Sequence, residues 1–302
     1  MWTTEPTATP TPAGSPGRGA DPADPTAEAT LAERLAALDS DLRSRESVLV
    51  AFSGGADSAL LLAAAVRALG ADHVGAATAY SDSLPRSERG PALDFARDLG
   101  VRVFTPQTHE MDRDGYRANS GQRCYFCKAE LLEVLGPLAR EHGFAHVATG
   151  TNADDAVAGF RPGIRAAAER GAITPLLDAG LTKAQVRLAS RWWDLPTWDK
   201  PAAACLSSRI AYGIQVSPTR LARVERAEVA ARAALSEAGV PVRNLRVRDL
   251  GERARIEVDR DLVPVAAASG VVAAVRDAGF PAAELDPKGF RSGSMNEALG
   301  RH

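Results

Sequence analysis

Three cysteines are the residues of this 302-residue chain best suited to unusual chemistry. Cys124 and Cys127 form a CxxC pair, and Cys205 lies in the segment KPAAACLSSR. A CxxC pair is compatible with a redox couple, with half of a zinc site or with chance. Three thiolates can also hold a [4Fe–4S] cluster and leave one iron without a protein ligand. The odd number of cysteines argues against a disulfide scaffold and excludes a four-cysteine zinc site within one chain.

A glycine-rich loop provides a second candidate site. Its sequence SGGADS, residues 53–58, follows an apolar run and precedes a helical pattern. Glycines let backbone N–H groups close around an anion, and the next helix adds its positive N-terminal end. The Ser53 and Ser58 hydroxyls can donate hydrogen bonds, while Asp57 can bind Mg²⁺ or cap the helix. An ordinary glycine turn with capping residues is the alternative interpretation, and the Walker and GxGxxG patterns are absent.

Alternating apolar elements indicate how these residues are positioned. Apolar runs predict strands at 47–52, 73–80, 101–104 and 146–150. The segments before and between these strands are predicted to form helices at 31–45, 57–69, 92–99 and 128–142. This order indicates an α/β fold with a doubly wound parallel sheet. Such sheets bind ligands at the carboxyl ends of their strands, and the cysteines are expected in polar loops there.

A second, smaller α/β unit is predicted beyond about Ser217. It comprises a helix to about residue 238, strands at 245–247 and 255–258, and a helix at 262–278. We therefore expect a large domain at 29–216 and a small one at 217–302. Residues 1–28 are rich in Pro, Thr, Ala and Gly and are predicted to form a disordered tail.

Charge and hydropathy narrow the classes of function. The chain has 36 basic and 38 acidic residues, a net charge of −2, which argues against a nucleic-acid partner. No window is apolar enough for a membrane span, and the N-terminus lacks the features of a secretory signal. A cytoplasmic protein without a membrane partner is expected.

The SGGADS loop resembles the PP-loop of the adenine-nucleotide α-hydrolase superfamily, whose members cleave ATP between its α and β phosphates. The resemblance implies that pyrophosphate is held by Ser53, Gly54, Gly55, Asp57 and Ser58. It also implies that the adenosine site is lined by the chain around Ala51 and Phe52 and around Ala79, Tyr80 and Ser81. The segment GTNADD resembles the family's second loop, in which Gly150 would allow close approach and Asp154 would assist Mg²⁺.

The motifs SGGADS, RCYFCK, GTNADD, CLSSRIAYG, LRVR and GFRSGSMNE together resemble the LarE family over residues 31–298. This family consists of ATP-dependent sulfur transferases that make the nickel-pincer nucleotide of lactate racemase. The resemblance implies adenylylation of a carboxylate of pyridinium-3,5-biscarboxylic acid mononucleotide, followed by displacement of AMP by sulfur. The sulfur donor is either a sacrificial Cys205 or a [4Fe–4S] cluster on Cys124, Cys127 and Cys205. The cluster is favoured, because a sacrificial mechanism leaves Cys124 and Cys127 without a role.

The phosphate of such a substrate requires arginines. Arg246 and Arg248, at alternate positions of a strand, match the family's phosphate-binding RxR. Further substrate-binding candidates are Glu225, Glu228 and Arg291, each of which is otherwise a solvated charge. Arg209, in the CLSSR segment, is also a substrate-binding candidate, for orienting the adenylate or the thiol loop. The family also implies a homo-oligomer, possibly a hexamer, and functional partners in the same cofactor pathway.

Two other functions use the same motifs. A tRNA 2-thiolation enzyme has a PP-loop and in some cases three cluster cysteines, but the net charge of −2 and the lack of a basic stripe disfavour RNA binding. A non-catalytic adenine-nucleotide-binding regulator needs the loop but not the cysteine and arginine motifs. Pyrophosphate release stimulated by the dicarboxylate separates the enzyme from the regulator.

Overall fold

A computed structural model describes residues 25–157, 161–201, 205–291 and 294–295. Most of the tail predicted at 1–28 lies outside these residues. The first part of the chain contains α1 (Pro25–Arg43), β1 (Val48–Ala51), α2 (Ala56–Leu69), β2 (Val74–Ala77), α3 (Arg86–Asp98), β3 (Arg102–Phe104), α4 (Asp114–Arg117), α5 (Arg123–Glu141), β4 (His146–Thr149), α6 (Ala153–Val157), α7 (Pro162–Glu169), α8 (Pro175–Asp178) and α9 (Lys183–Trp192). The second part contains α10 (Pro218–Glu237), β5 (Leu245–Asp249), β6 (Arg253–Val258), α11 (Val263–Ala267), α12 (Val271–Asp277) and β7 (Ala282–Leu285).

The larger sheet has the strand order β3-β2-β1-β4, and all its neighbouring strands are parallel. Side chains of β1 alternate between two apolar clusters, as the twofold period of a strand requires. Val48 and Val50 pack into the cluster that contains α1, α2 and α9, whereas Leu49 packs on the other face with Leu135 and Phe144. Helices therefore cover both faces, which confirms the predicted doubly wound α/β fold of PP-loop type.

The smaller C-terminal unit has a three-stranded sheet, ordered β5-β6-β7, packed against α10 and α12. The unit is α/β, as predicted. Its hydrophobic core also contains Tyr116, Leu206 and Ile210, which precede the proposed boundary at residue 216. The two parts of the chain are thus packed together at the cysteine-bearing loop.

Several predicted elements are wrong in extent or type. The CxxC does not lie in a loop, because α5 begins at Arg123 and places Cys124 and Cys127 in its first turns. The helix predicted at 262–278 is divided into α11 and α12 by Gly270, whose φ of +76° is left-handed. Strand β7 and the helices between Ala153 and Trp192 were not assigned from the sequence.

Within the described part of the chain, no helix is both long and apolar enough to cross a membrane.

Candidate active site

The PP-loop, residues 53–58, connects β1 to α2 at the carboxyl edge of the larger sheet. The Ser58 hydroxyl lies 3.1 Å from the Ser53 hydroxyl and donates to the Gly55 carbonyl at 3.1 Å. Gly54 has a φ of +69°, in the left-handed region that favours glycine. These contacts fold the loop tightly over the N-terminus of α2, which is a suitable geometry for holding an anion.

Gly150 closes the loop from the neighbouring strand. A Cβ atom at this position would lie 2.8 Å from the Ser58 backbone nitrogen, closer than real Cβ atoms approach. Only a glycine therefore allows β4 to meet the first turn of α2. This is the close approach expected from the GTNADD motif.

A cavity of about 400 Å³ opens at this edge of the sheet and is called here the first cavity. Of the residues predicted to bind ATP, it is lined by Ala51, Phe52, Ser53, Asp57, Ser58 and Gly150. Gly54 and Gly55 belong to the loop but do not line the cavity. Thr78, Ala79 and Ser81 also line it, so the segment after β2 contributes a wall.

Two predicted residues lie elsewhere. The Tyr80 ring is covered by the Arg89 guanidinium, 4.8 Å from the ring centroid, and does not line the first cavity. The Asp154 carboxylate accepts a hydrogen bond of 2.8 Å from the Lys183 backbone N–H, at the start of α9. Its neighbour Asp155 lines the cavity instead.

Asp57 is held from two directions. The Lys183 ammonium contacts one carboxylate oxygen, and the Asn152 amide donates to the other at 2.9 Å. Lys183 is the first residue of α9, which begins with a capping box between Thr182 and Gln185. A carboxylate fixed between a cation and an amide is oriented before any ligand binds.

Two of the three cysteines, Cys127 and Cys205, line the first cavity. Cys124 is exposed on α5, one turn from Cys127. Burial raises the pKa of the Cys127 thiol, and the nearby Cys205 and Cys124 contribute to the increase. Partial loss of hydration beside the surrounding protein also raises the pKa of the Cys124 thiol, and the Arg123 guanidinium partly opposes this effect.

Within the described ranges, no group of three or more His, Cys, Asp or Glu side chains is close enough to hold a single metal ion. A four-iron cluster spreads its thiolate ligands more widely than one ion does. The donor chemistry of three neighbouring thiols, two of them facing a cavity, fits such a cluster.

Contacts from α5 and from within the loop itself fix the cysteine-bearing loop. The Cys205 sulfur lies 3.0 Å from the Ser207 hydroxyl, and the buried Arg123 donates to the Ser207 carbonyl at 2.9 Å. Arg209 donates to the Cys205 carbonyl at 3.1 Å. Sequence analysis did not select Arg123, although its place directly before the CxxC was visible.

A second cavity, of about 480 Å³, is called here the arginine cavity. Of the predicted substrate-binding residues, Arg209, Glu225, Glu228 and Arg246 line it, together with Arg226 and Arg232. Burial lowers the pKa of Arg246 to about 10, and the positive charge of Arg209 adds to the effect. An anion bound here would relieve this repulsion between like charges.

Two of the predicted substrate-binding arginines, Arg248 and Arg291, form ion pairs and do not line the arginine cavity. The buried Arg248 contacts Glu257 at 2.6 Å and donates to the Ser208 carbonyl at 3.4 Å. Arg291 lies 3.6 Å from Asp286. The structure thus brings Arg246 to the arginine cavity without its neighbour Arg248.

The two cavities share a wall. Pro85 and Glu88 line both, and the consecutive residues Cys205 and Leu206 line the first cavity and the arginine cavity respectively. A ligand that spans this wall would meet the PP-loop, the cysteines and the arginines at once.

Sequence comparison identifies relatives of this chain among known proteins. No protein-family model matches the chain. An uncharacterised protein of Synechocystis sp. is 39% identical over 258 residues, which cover 84% of this chain and 93% of that protein. The pyridinium-3,5-bisthiocarboxylic acid mononucleotide synthase of Lactiplantibacillus plantarum is 33% identical over 273 residues, 90% of this chain and 96% of the synthase. The chain belongs to the LarE family.

A third relative extends over only part of this LarE-family chain. An uncharacterised protein of Methanocaldococcus jannaschii is 30% identical over 144 residues, which are 48% of this chain and 54% of that protein.

Sequence analysis missed further polar residues in this LarE-family site. Lys128, Glu110 and Ser83 line the first cavity, and burial lowers the pKa of Lys128. Lys128 follows the CxxC directly, so its place in the motif was a usable signal. Glu110 and Ser83 come from segments without a motif, and only the fold brings them to the cavity.

Proposed function

We propose that this chain inserts sulfur into pyridinium-3,5-biscarboxylic acid mononucleotide in an ATP-dependent reaction of nickel-pincer nucleotide biosynthesis. One observation carries the proposal: of two consecutive residues, Cys205 lines the first cavity and Leu206 lines the arginine cavity. The site therefore offers a phosphate-binding loop, thiols and an anion-binding pocket in two adjacent cavities that share a wall. The synthase activity for which the Lactiplantibacillus relative is named supports the choice of substrate.

The first step would be adenylylation. A substrate carboxylate oxygen attacks the α-phosphorus of ATP, the bond from that phosphorus to the bridging oxygen breaks, and pyrophosphate leaves. The PP-loop N–H groups and the N-terminus of α2 would stabilise the leaving pyrophosphate. Mg²⁺ usually binds through one or two carboxylates together with phosphates. Asp57 and Asp155, which both line the first cavity, would hold it.

The second step would form the thiocarboxylate. A sulfur nucleophile attacks the acyl carbon of the adenylate, the bond from that carbon to the AMP oxygen breaks, and AMP leaves with that oxygen. Cys124, Cys127 and Cys205 would hold a [4Fe–4S] cluster, which supplies sulfide for transfer when bound. Arg246 and its arginine neighbours would bind the substrate phosphate and orient the ring toward Cys205.

Pyrophosphate release tests the reaction class. Purified protein should release pyrophosphate from Mg-ATP, and the pyridinium dicarboxylate mononucleotide should stimulate the rate. The Asp57→Asn variant is the control for contaminating ATPases. A rate that does not respond to the dicarboxylate contradicts the proposed substrate.

Iron content tests the sulfur source. After anaerobic purification, the wild-type protein should contain about four irons with sulfide and absorb visible light, and Cys124→Ala should lose the iron. An iron-free protein whose Cys205 becomes dehydroalanine after one turnover would instead make Cys205 the sacrificial donor.

We also propose a homo-oligomer, which light scattering of the purified protein tests directly.

A further inference from the structure

Lys200 is a partly buried cation beside the PP-loop that has no role in the steps above. Its ammonium donates to the Gly54 carbonyl at 3.0 Å and forms an ion pair of 2.7 Å with Glu88. Arg187 donates to the Lys200 carbonyl at 3.1 Å and so holds the backbone from which the side chain extends. Lys200 does not line the first cavity, so it contacts the loop from outside.

The contact determines which way one peptide unit of the PP-loop faces. In a trans peptide the C=O and the N–H point in opposite directions. The carbonyl of the Gly54–Gly55 unit points to Lys200, while the Gly55 N–H lies 3.4 Å from the Ser53 hydroxyl, which lines the first cavity. The left-handed φ of Gly54 permits this orientation.

The opposite orientation would be unfavourable for an anion. If the unit turned over, the Gly54 carbonyl would present its negative end to the cavity in place of an N–H donor. A charge-assisted hydrogen bond from an ammonium is about twice as strong as a neutral one, so Lys200 opposes this rotation. Glu88 holds the ammonium in place from the wall between the cavities.

We propose that Lys200 is a positioning residue for pyrophosphate binding. It holds the Gly54–Gly55 peptide unit so that the Gly55 N–H points toward Ser53, a loop residue that lines the first cavity, and the Gly54 carbonyl points to Lys200 outside it. The inference rests on the proposed binding of ATP in the first cavity. It adds a residue outside the cavity to those that prepare the PP-loop for its ligand.

Ligand binding to Lys200→Met tests the proposal. Calorimetric titration with Mg-pyrophosphate and Mg-ATP should show affinities about tenfold weaker than in the wild-type protein, the effect of losing one charge-assisted hydrogen bond. The affinity for AMP, which lacks the leaving phosphates, should stay unchanged. A role in folding alone would not produce this difference between ligands.

Two conservative variants and one control complete the experiment. Lys200→Arg should bind pyrophosphate with an affinity within about threefold of the wild-type value. Lys200→Gln keeps an N–H donor without the charge, so its affinity should lie between those of the Lys200→Arg and Lys200→Met variants. Lys288→Met, at an exposed lysine, should match the wild-type protein.

The outcomes separate this inference from the proposed function. If the wild-type protein binds pyrophosphate and ATP and the Lys200 variants bind them equally well, the positioning role is wrong and the proposed function is unaffected. If the Lys200 variants lose equal affinity for AMP and for pyrophosphate, the positioning role is also overturned. If the wild-type protein binds neither ATP nor pyrophosphate, the proposed function fails and the inference fails with it.

Discussion

The Arg209 guanidinium forms a two-point ion pair with the Glu228 carboxylate, through contacts of 2.9 and 3.2 Å. The side chains are only 4% and 13% exposed. Arg209 also donates to the Cys205 carbonyl, and Glu228 accepts from the Val247 N–H at 3.1 Å. The pair thus joins the cysteine-bearing loop to α10 and β5.

Glu228→Gln should destabilise the protein strongly. Removing one partner of a buried ion pair leaves the other charge uncompensated, which costs about 3 kcal/mol of unfolding free energy. Urea unfolding followed by circular dichroism measures the change. The matched control is Asp39→Asn, which breaks the exposed Arg43–Asp39 pair and should cost less than about 1 kcal/mol. Equal effects of the two substitutions would contradict the structural role given to Glu228.

Gly150→Ala should weaken ATP binding. The new Cβ would meet the Ser58 backbone nitrogen at 2.8 Å and force the first turn of α2 to move. Overpacking of this kind costs about 1–3 kcal/mol, so we expect at least about a fivefold loss of affinity in calorimetric titration. Gly90→Ala is the control, because nothing lies within 4 Å of a Cβ there and Gly90 is inside α3. Unchanged affinity in Gly150→Ala would show that the close approach is not needed.

Sulfate should stabilise the protein through the arginine cavity. Burial and the positive charge of Arg209 lower the pKa of Arg246 to about 10, and a bound anion would relieve the repulsion between the two arginines. At saturating sulfate we expect the unfolding midpoint to rise by about 3 °C over chloride at equal ionic strength. Arg246→Met should lose this specific increase. Arg97→Met, at an exposed arginine, should keep it. If Arg246→Met responds to sulfate as fully as the control does, the anion binds elsewhere.

Asp259 should make stability depend on pH in the acid range. Burial alone would raise the pKa of its carboxyl. The backbone N–H groups of Asn244 and Arg243 and the side-chain amide of Asn244 donate hydrogen bonds to the carboxylate, and together they lower the pKa by more than burial raises it. The net pKa is therefore below its ordinary value. A lowered pKa contributes stability above the unfolded-state pKa of about 3.9, and this contribution is lost as the pH falls through the folded-state value.

Unfolding of Asp259→Asn between pH 7 and pH 2 tests this pH dependence. The variant should be about 1–2 kcal/mol less stable than the wild-type protein at pH 5–7. The difference should shrink below about pH 4, where the carboxyl of the unfolded wild-type chain becomes protonated while that of the folded protein does so only at lower pH. Asp94→Asn, at an exposed carboxylate, should show little difference at any pH. A stability difference that stays constant down to pH 2 would contradict the lowered pKa.

The larger sheet was predictable because its signals are local. Strands such as β1 are short apolar runs buried on both faces, and SGGADS combines a turn, a phosphate cradle and a helix start in six residues. The same locality explains why Ser53, Asp57 and Ser58 were correctly expected to lie together at the carboxyl edge of the sheet.

The missed features depend on contacts between distant segments. Lys200 meets Gly54 across 146 positions of sequence, and Arg123 meets Ser207 across 84. Neither pairing has a local pattern. Strand β7 reads Ala-Ala-Glu-Leu and is recognisable only through its pairing with β6. The capping box at Thr182 and Gln185 was a local signal for the start of α9 and could have been used.

Tyr116, Leu206 and Ile210 complete the hydrophobic core of the C-terminal unit from outside it. An exchange of C-terminal units between two relatives would therefore set these three side chains against a foreign core. Any mismatch would act on the loop that carries Cys205, because Leu206 is its direct neighbour. Hybrid proteins should therefore be joined so that residues 116, 206 and 210 come from the same parent as α10 and β5.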